Sequence, residues 1–118
     1  MTKAAARIVI IDDEPRMCDS LAALLIGEGH EVMAFQHARE AAEVIRKQKV
    51  DLVITDIKMP EMNGIEILRA VKQVDEGIPV ILLTGYASLD SALEAISRGA
   101  YDYLLKPVDF NRLELSVN

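Results

Sequence analysis

Two hydrophobic periods alternate along this chain, and that alternation leaves few folds open. Runs of strand length, RIVII (Arg7 to Ile11), EVMAF (Glu31 to Phe35), DLVIT (Asp51 to Thr55), PVILLT (Pro79 to Thr84) and YLLK (Tyr103 to Lys106), are separated by segments whose apolar residues recur every three or four positions. The helical faces predicted this way are Met17, Leu21, Leu24 and Leu25; Ala38, Ala41, Ala42 and Ile45; Ile67, Leu68, Val71 and Val74; and Leu89, Ala92, Leu93 and Ile96. Gly29 and Gly99 stand where helix C-termini favour a left-handed residue, and Ser88 is placed to cap the fourth helix. The first, third and fourth strands are unbroken apolar runs, as a parallel sheet covered on both faces requires. The expected fold is α/β: a (βα)5 doubly wound parallel sheet. After Phe110 only Leu113, Leu115 and Val117 continue an apolar pattern, so the fifth helix is expected to be short or truncated and the chain a fragment of a longer protein.

A length of 118 residues suits one domain. A net charge of −6 argues against direct nucleic-acid contact by this domain, because phosphate backbones are gripped by clustered Lys and Arg. Cys18 has no partner for an internal disulfide and falls in a helical pattern, which predicts a buried small side chain in a reducing compartment. No apolar run approaches the roughly 18 residues of a membrane span, and the start MTKAAAR lacks a signal-peptide core, so a cytoplasmic location is expected.

The chemistry is expected at the carboxyl ends of the strands, where open parallel sheets bind ligands. Strand 1 ends in Asp12 and Asp13, strand 3 in Asp56, strand 4 in Thr84 and strand 5 in Lys106. Three clustered carboxylates repel unless a cation compensates. Mg2+ suits them, since it takes one or two carboxylates and leaves positions for water and a phosphoryl oxygen. Lys106 would add a second positive charge, and a carboxylate oxygen is a competent nucleophile for phosphorus. Each residue has a plainer reading: Asp12 or Asp13 as a helix cap, Asp56 and Thr84 as turn residues, Lys106 as a solvated lysine. Complementary groups at four of five strand ends favour the site. His30 and His37 flank strand 2 and are expected to be exposed turn residues.

The segments IIDDEP, DLVITDIKMPEMNG, PVILLTGYAS and GAYDYLLKP resemble, in order and spacing, the successive motifs of receiver domains from two-component response regulators. The resemblance covers nearly the whole chain. It implies a flavodoxin-like sheet of order 2-1-3-4-5, with Asp56 as phosphoacceptor. It implies Mg2+ held by Asp12, Asp13, Asp56 and the backbone carbonyl of Lys58, with Asp13 the more direct ligand of the acidic pair. Thr84 then matches the switch hydroxyl, Lys106 the lysine that meets the phosphoryl group and Tyr103 the switch aromatic, and a cis Lys106–Pro107 peptide is expected. Lys58 and Tyr86, two positions after Asp56 and Thr84, would rim the site and tune the lifetime of the phosphoryl group. The implied partners are a sensor histidine kinase, the protein's own output domain or a downstream protein, and a second copy on phosphorylation, with output through helix 4, strand 5 and helix 5. TGYASLDSALEAISRGAYDYLLKPVD is most like receivers of the nitrogen-regulation class, the sigma-54 activators, whose full proteins add an ATPase module and a DNA-binding end. Two other classes compete: a phosphohydrolase similar to haloacid dehalogenases, which would show D-x-D where this chain has Lys58 two after Asp56, and a degenerate receiver that only docks. A flavin carrier would need a glycine- and hydroxyl-rich loop where IDDEPR stands.

Overall fold

The structure, a computed structural model, describes residues 5–57, 59, 62–85, 94–106 and 109–117, with backbone alone for 110 and 114–116. In chain order the elements are β1 (Arg7–Ile11), α1 (Pro15–Gly27), β2 (Glu31–Phe35), α2 (Ala38–Lys47), β3 (Leu52–Asp56), α3 (Gly64–Val74), β4 (Val80–Thr84), a helical turn at residues 94–97 (α4), β5 (Asp102–Leu105) and α5 (Phe110–Val117). The strands form one parallel sheet of order β2-β1-β3-β4-β5. This is the flavodoxin-like arrangement expected from the sequence.

The unbroken apolar strands are explained by two cores, one on each face of the sheet. Val9, Ile11, Val53, Val80 and Leu82 turn to one side and pack with Ala38, Ala41 and Ile45 of α2, Ile67, Leu68 and Val71 of α3, and Ala95 of α4. Their neighbours Ile8, Ile10, Leu52, Ile54, Ile81, Leu83 and Leu104 turn to the other and meet Cys18, Leu21 and Leu25 of α1 and Leu113 of α5. Since successive strand residues point to opposite faces, a strand covered on both must be apolar at every position.

Two strands are displaced by one residue from expectation. Asp51 precedes β3, where its carboxylate accepts from the Arg7 amide at 2.8 Å and its own amide donates to the Arg7 carbonyl at 2.8 Å. Asp56 is thereby the last residue of β3, paired with Leu83. In α4, Ala95 and not Ile96 meets the core, and Ile96 is 62% exposed. Ser88, Leu89, Ala92 and Leu93 lie outside the described residues. Gly29 and Gly99 both have φ of 95°, the left-handed conformation that ends a helix. His30 departs from expectation: it is half-buried, its Nδ1 accepts from the Ala6 amide at 3.1 Å, and its Nε2 is buried. His37 is exposed. Among the described residues no helix is long and apolar enough to cross a membrane.

The fold sets the distance between β3 and α3 through Gly64. A Cβ there would lie 2.6 Å from the Asp56 carbonyl oxygen and 2.9 Å from Ile57 Cα, both backbone atoms that cannot swing aside. Gly64→Ala is therefore expected to cost about 2 kcal/mol through overpacking, lowering the melting temperature by about 10 °C in thermal denaturation. Gly27→Ala, with nothing within 4 Å of the added carbon among the described residues, is the control and should be neutral or mildly stabilising. Equal melting temperatures for the two variants would show that α3 can shift without cost.

Candidate functional site

Five strand-end residues converge where the sheet order reverses between β1 and β3. Asp12 follows β1 and is fully buried. Its Oδ1 accepts from the Glu14 amide at 2.9 Å, which closes the turn into α1, while Oδ2 accepts from Lys106 Nζ at 2.9 Å. Asp56 repeats the pattern at the end of β3, with Oδ1 accepting from the Ile57 amide at 2.8 Å and Oδ2 from Lys106 Nζ at 3.3 Å. Each buried carboxylate thus has one oxygen on a backbone amide and the other on the same ammonium. The helix-cap reading of these acids does not hold, because the N-cap of α1 is Glu14, which makes no side-chain cap bond, and Pro15 opens the helix. Asp13 stands exposed beside the pair, and one carboxylate oxygen from each of Asp12, Asp13 and Asp56 falls within 4.8 Å of the others.

The electrostatics follow from this crowding. Burial pushes the Asp56 carboxyl above the usual carboxylate range, the Asp12 charge adds to that, and Lys106 and the Ile57 amide oppose it without cancelling it. Burial alone would lower the Lys106 ammonium, but the Asp12 hydrogen bond and the charges of Asp12 and Asp56 outweigh it and leave Lys106 raised. Three carboxylates against one ammonium leave two negative charges in excess. An all-oxygen donor set with that excess fits a small hard divalent cation, so Asp12, Asp13 and Asp56 could hold Mg2+.

Thr84 ends β4, is 2% exposed, and its carbonyl accepts from the Lys106 amide at 2.7 Å, so the lysine is fastened to the strand next to Asp56. Tyr103, opposite Leu82 on β5, packs against the core shared with α2 and α3, and its buried hydroxyl has no hydrogen-bond partner among the described residues. Lys58, Tyr86 and the Lys106–Pro107 peptide lie outside the described residues. Sequence reading overlooked two supports. Thr55 donates its hydroxyl to the Asp56 carbonyl at 2.9 Å. The Cys18 thiol, raised by burial and then by the Asp12 charge, donates to the Asp12 carbonyl at 3.3 Å. Neither carries a sequence signal beyond a polar or thiol side chain beside the site.

A doubly wound α/β domain with an acidic, lysine-bridged pocket at its carboxyl edge is the class these features define. Residues 8–118 match the family described as response regulator receiver domain, and the chain belongs to that family. It is 43% identical over 111 residues to the transcriptional regulatory protein ZraR of Klebsiella oxytoca, which covers 94% of this chain and 25% of that protein. Among solved structures it resembles a response regulator receiver domain protein from Clostridium thermocellum, with TM-score 0.90, 37% identity and coverage of 96% and 91% of the two chains. The beryllofluoride-activated NtrC4 receiver domain dimer gives TM-score 0.89 and 32% identity over 94% of this chain and 92% of that one. The chain spans about a quarter of the length of the curated relative. It is a signalling domain, a receiver of two-component response regulators, and the class resemblance drawn from the sequence agrees with these relatives. The flavin and phosphohydrolase readings give way to it.

Proposed function

We propose that Asp56 accepts one phosphoryl group from a sensor histidine kinase, and that the resulting change passes through α4, β5 and α5 to an output that controls transcription. The observation that supports this most directly is the single ammonium of Lys106 shared between two buried carboxylates, 2.9 Å from Asp12 and 3.3 Å from Asp56. In the transfer an Asp56 oxygen forms a bond to phosphorus while the bond from phosphorus to the donor breaks and the donor leaves with that electron pair. Asp56 is held for this by the Ile57 amide on one oxygen, the Thr55 hydroxyl on its carbonyl and the close approach of Gly64 behind it. Lys106 can turn from the carboxylates to an incoming phosphoryl oxygen without leaving the pocket. Mg2+, held by Asp12, Asp13, Asp56 and the Lys58 carbonyl, would supply the charge that lets two anions meet. The new dianion at Asp56 then draws Thr84, and Tyr103 follows on β5, shifting a population between two arrangements. Lys58 and Tyr86 are proposed to set the lifetime of the phosphoryl group, as the residues two positions after Asp56 and Thr84. The domain is proposed to belong to a longer cytoplasmic regulator that carries its output elsewhere in the chain and to pair with a second copy when phosphorylated.

Incubation with acetyl phosphate and Mg2+ is expected to add one phosphoryl group by intact-protein mass spectrometry, and none with EDTA. NMR shifts should reach Thr84 and Tyr103. Absence of any adduct would make the chain a docking module only.

A further inference from the structure

We infer that Cys18 is a positioning residue for Asp12, and through it for the cation and for Lys106. The inference rests on the site reading above and deepens it. Cys18 lies in the first turns of α1, is 4% exposed, and projects back under the end of β1. Its thiol donates to the Asp12 carbonyl at 3.3 Å and reaches the Phe35 carbonyl at 3.6 Å. The Asp12 amide donates to the same Phe35 carbonyl at 3.0 Å. One side chain therefore ties together the peptide of Asp12, the end of β2 and α1.

Asp12 is where such a tie matters. It lies just past the end of β1, where its carboxylate must present Oδ1 to Glu14 and Oδ2 to Lys106 while remaining fully buried. Rotation of its peptide would move both oxygens together. Removing the thiol takes a donor from a buried carbonyl and leaves space beside it, so the peptide gains freedom in the direction that displaces the carboxylate. Partners one shell out from a ligand are commonly worth about tenfold to a hundredfold in metal affinity. A thiol is a weak donor, so Cys18 belongs at or below the bottom of that range.

The test compares wild type, Cys18→Ala and Cys18→Ser in Mg2+ titration, phosphoryl uptake and melting temperature. Cys18→Ala is expected to weaken Mg2+ binding by about threefold to tenfold, with the Asp12 carbonyl 13C shift moved in the metal-free protein. Cys18→Ser, whose hydroxyl restores a donor, should recover most of both. Wild-type Mg2+ affinity in Cys18→Ala overturns the inference, whatever happens to its melting temperature, since a purely structural role would move only the latter. Should Cys18→Ala fail to fold, Cys18→Val, which fills the space without a donor, takes its place, and wild-type Mg2+ affinity with an unmoved Asp12 carbonyl shift in that variant overturns the inference. If wild type itself neither binds Mg2+ nor takes phosphoryl, the site reading has failed, which is a different result.

Discussion

Asp56→Asn is expected to abolish phosphoryl uptake and, in the same protein without metal, to raise the melting temperature. The first effect is loss of the nucleophile, since an amide oxygen does not form an acyl phosphate. The second follows from burial. Asp56 is 6% exposed and lies beside buried Asp12, and its carboxyl is raised above the usual range even with Lys106 at 3.3 Å. A carboxyl raised on folding binds its proton more tightly in the folded than in the unfolded chain. Between the unfolded and folded values the folded state therefore holds more protons, and stability falls as pH rises through that window. Above that window the ionised group opposes folding, and asparagine, of the same shape and uncharged, removes that opposition. The gain should be a few degrees, on the order of 5 °C, near pH 7.5 in EDTA, and should close as pH falls into the carboxylate range. Mass spectrometry with acetyl phosphate reads the first effect and a pH series of thermal melts the second. A phosphoryl adduct persisting in Asp56→Asn would move the acceptor elsewhere, and a lower melting temperature would mean that Lys106 more than compensates the buried charge.

The sheet was legible because burial on both faces writes itself into sequence as unbroken apolar runs, as in Ile8 to Ile11 and Val80 to Leu83. Strand ends were less so, since Asp51 and Asp56 are both acids flanking one run and only hydrogen bonding distinguishes the loop acid from the strand-end acid. The site was legible as a set of strand ends, because topology alone brings Asp12, Asp56, Thr84 and Lys106 to one edge. Its wiring was not. Sharing of one ammonium between Asp12 and Asp56, and the ties from Thr55 and Cys18 to carbonyl oxygens, depend on side-chain directions that spacing does not encode. His30 was misjudged for a related reason. Its place beside strand 2 suggested an exposed turn, but the chain there folds back onto Ala6, and the imidazole takes up that amide.

Lys106→Met should act in opposite directions on two steps that the native pocket combines. Methionine keeps most of the length and apolar stem but removes the ammonium that sits 2.9 Å from Asp12 and 3.3 Å from Asp56. That ammonium and a divalent cation compete for the same carboxylate oxygens and repel each other. Without it, both aspartates are free for the metal, and Mg2+ binding should tighten by about tenfold or more, as removal of one nearby unit charge in a partly buried site allows. Phosphoryl uptake should nonetheless fall by about a hundredfold to a thousandfold, the cost of losing a donor aimed at charge in transfer. In the metal-free protein the same change leaves two buried carboxylates facing each other, and stability should drop by about 3 kcal/mol. Lys106 is raised on folding, so its stabilising contribution is complete below the unfolded value and disappears only as pH climbs through the folded one. The stability gap between wild type and Lys106→Met should thus persist through neutral pH, closing in strong alkali and, at the other end, where acid protonates the carboxylates. Calorimetric titration with Mg2+, an acetyl phosphate time course and alkaline melts read the three effects. Weaker Mg2+ binding in Lys106→Met would show that the lysine organises the carboxylates for the metal and does not compete with it.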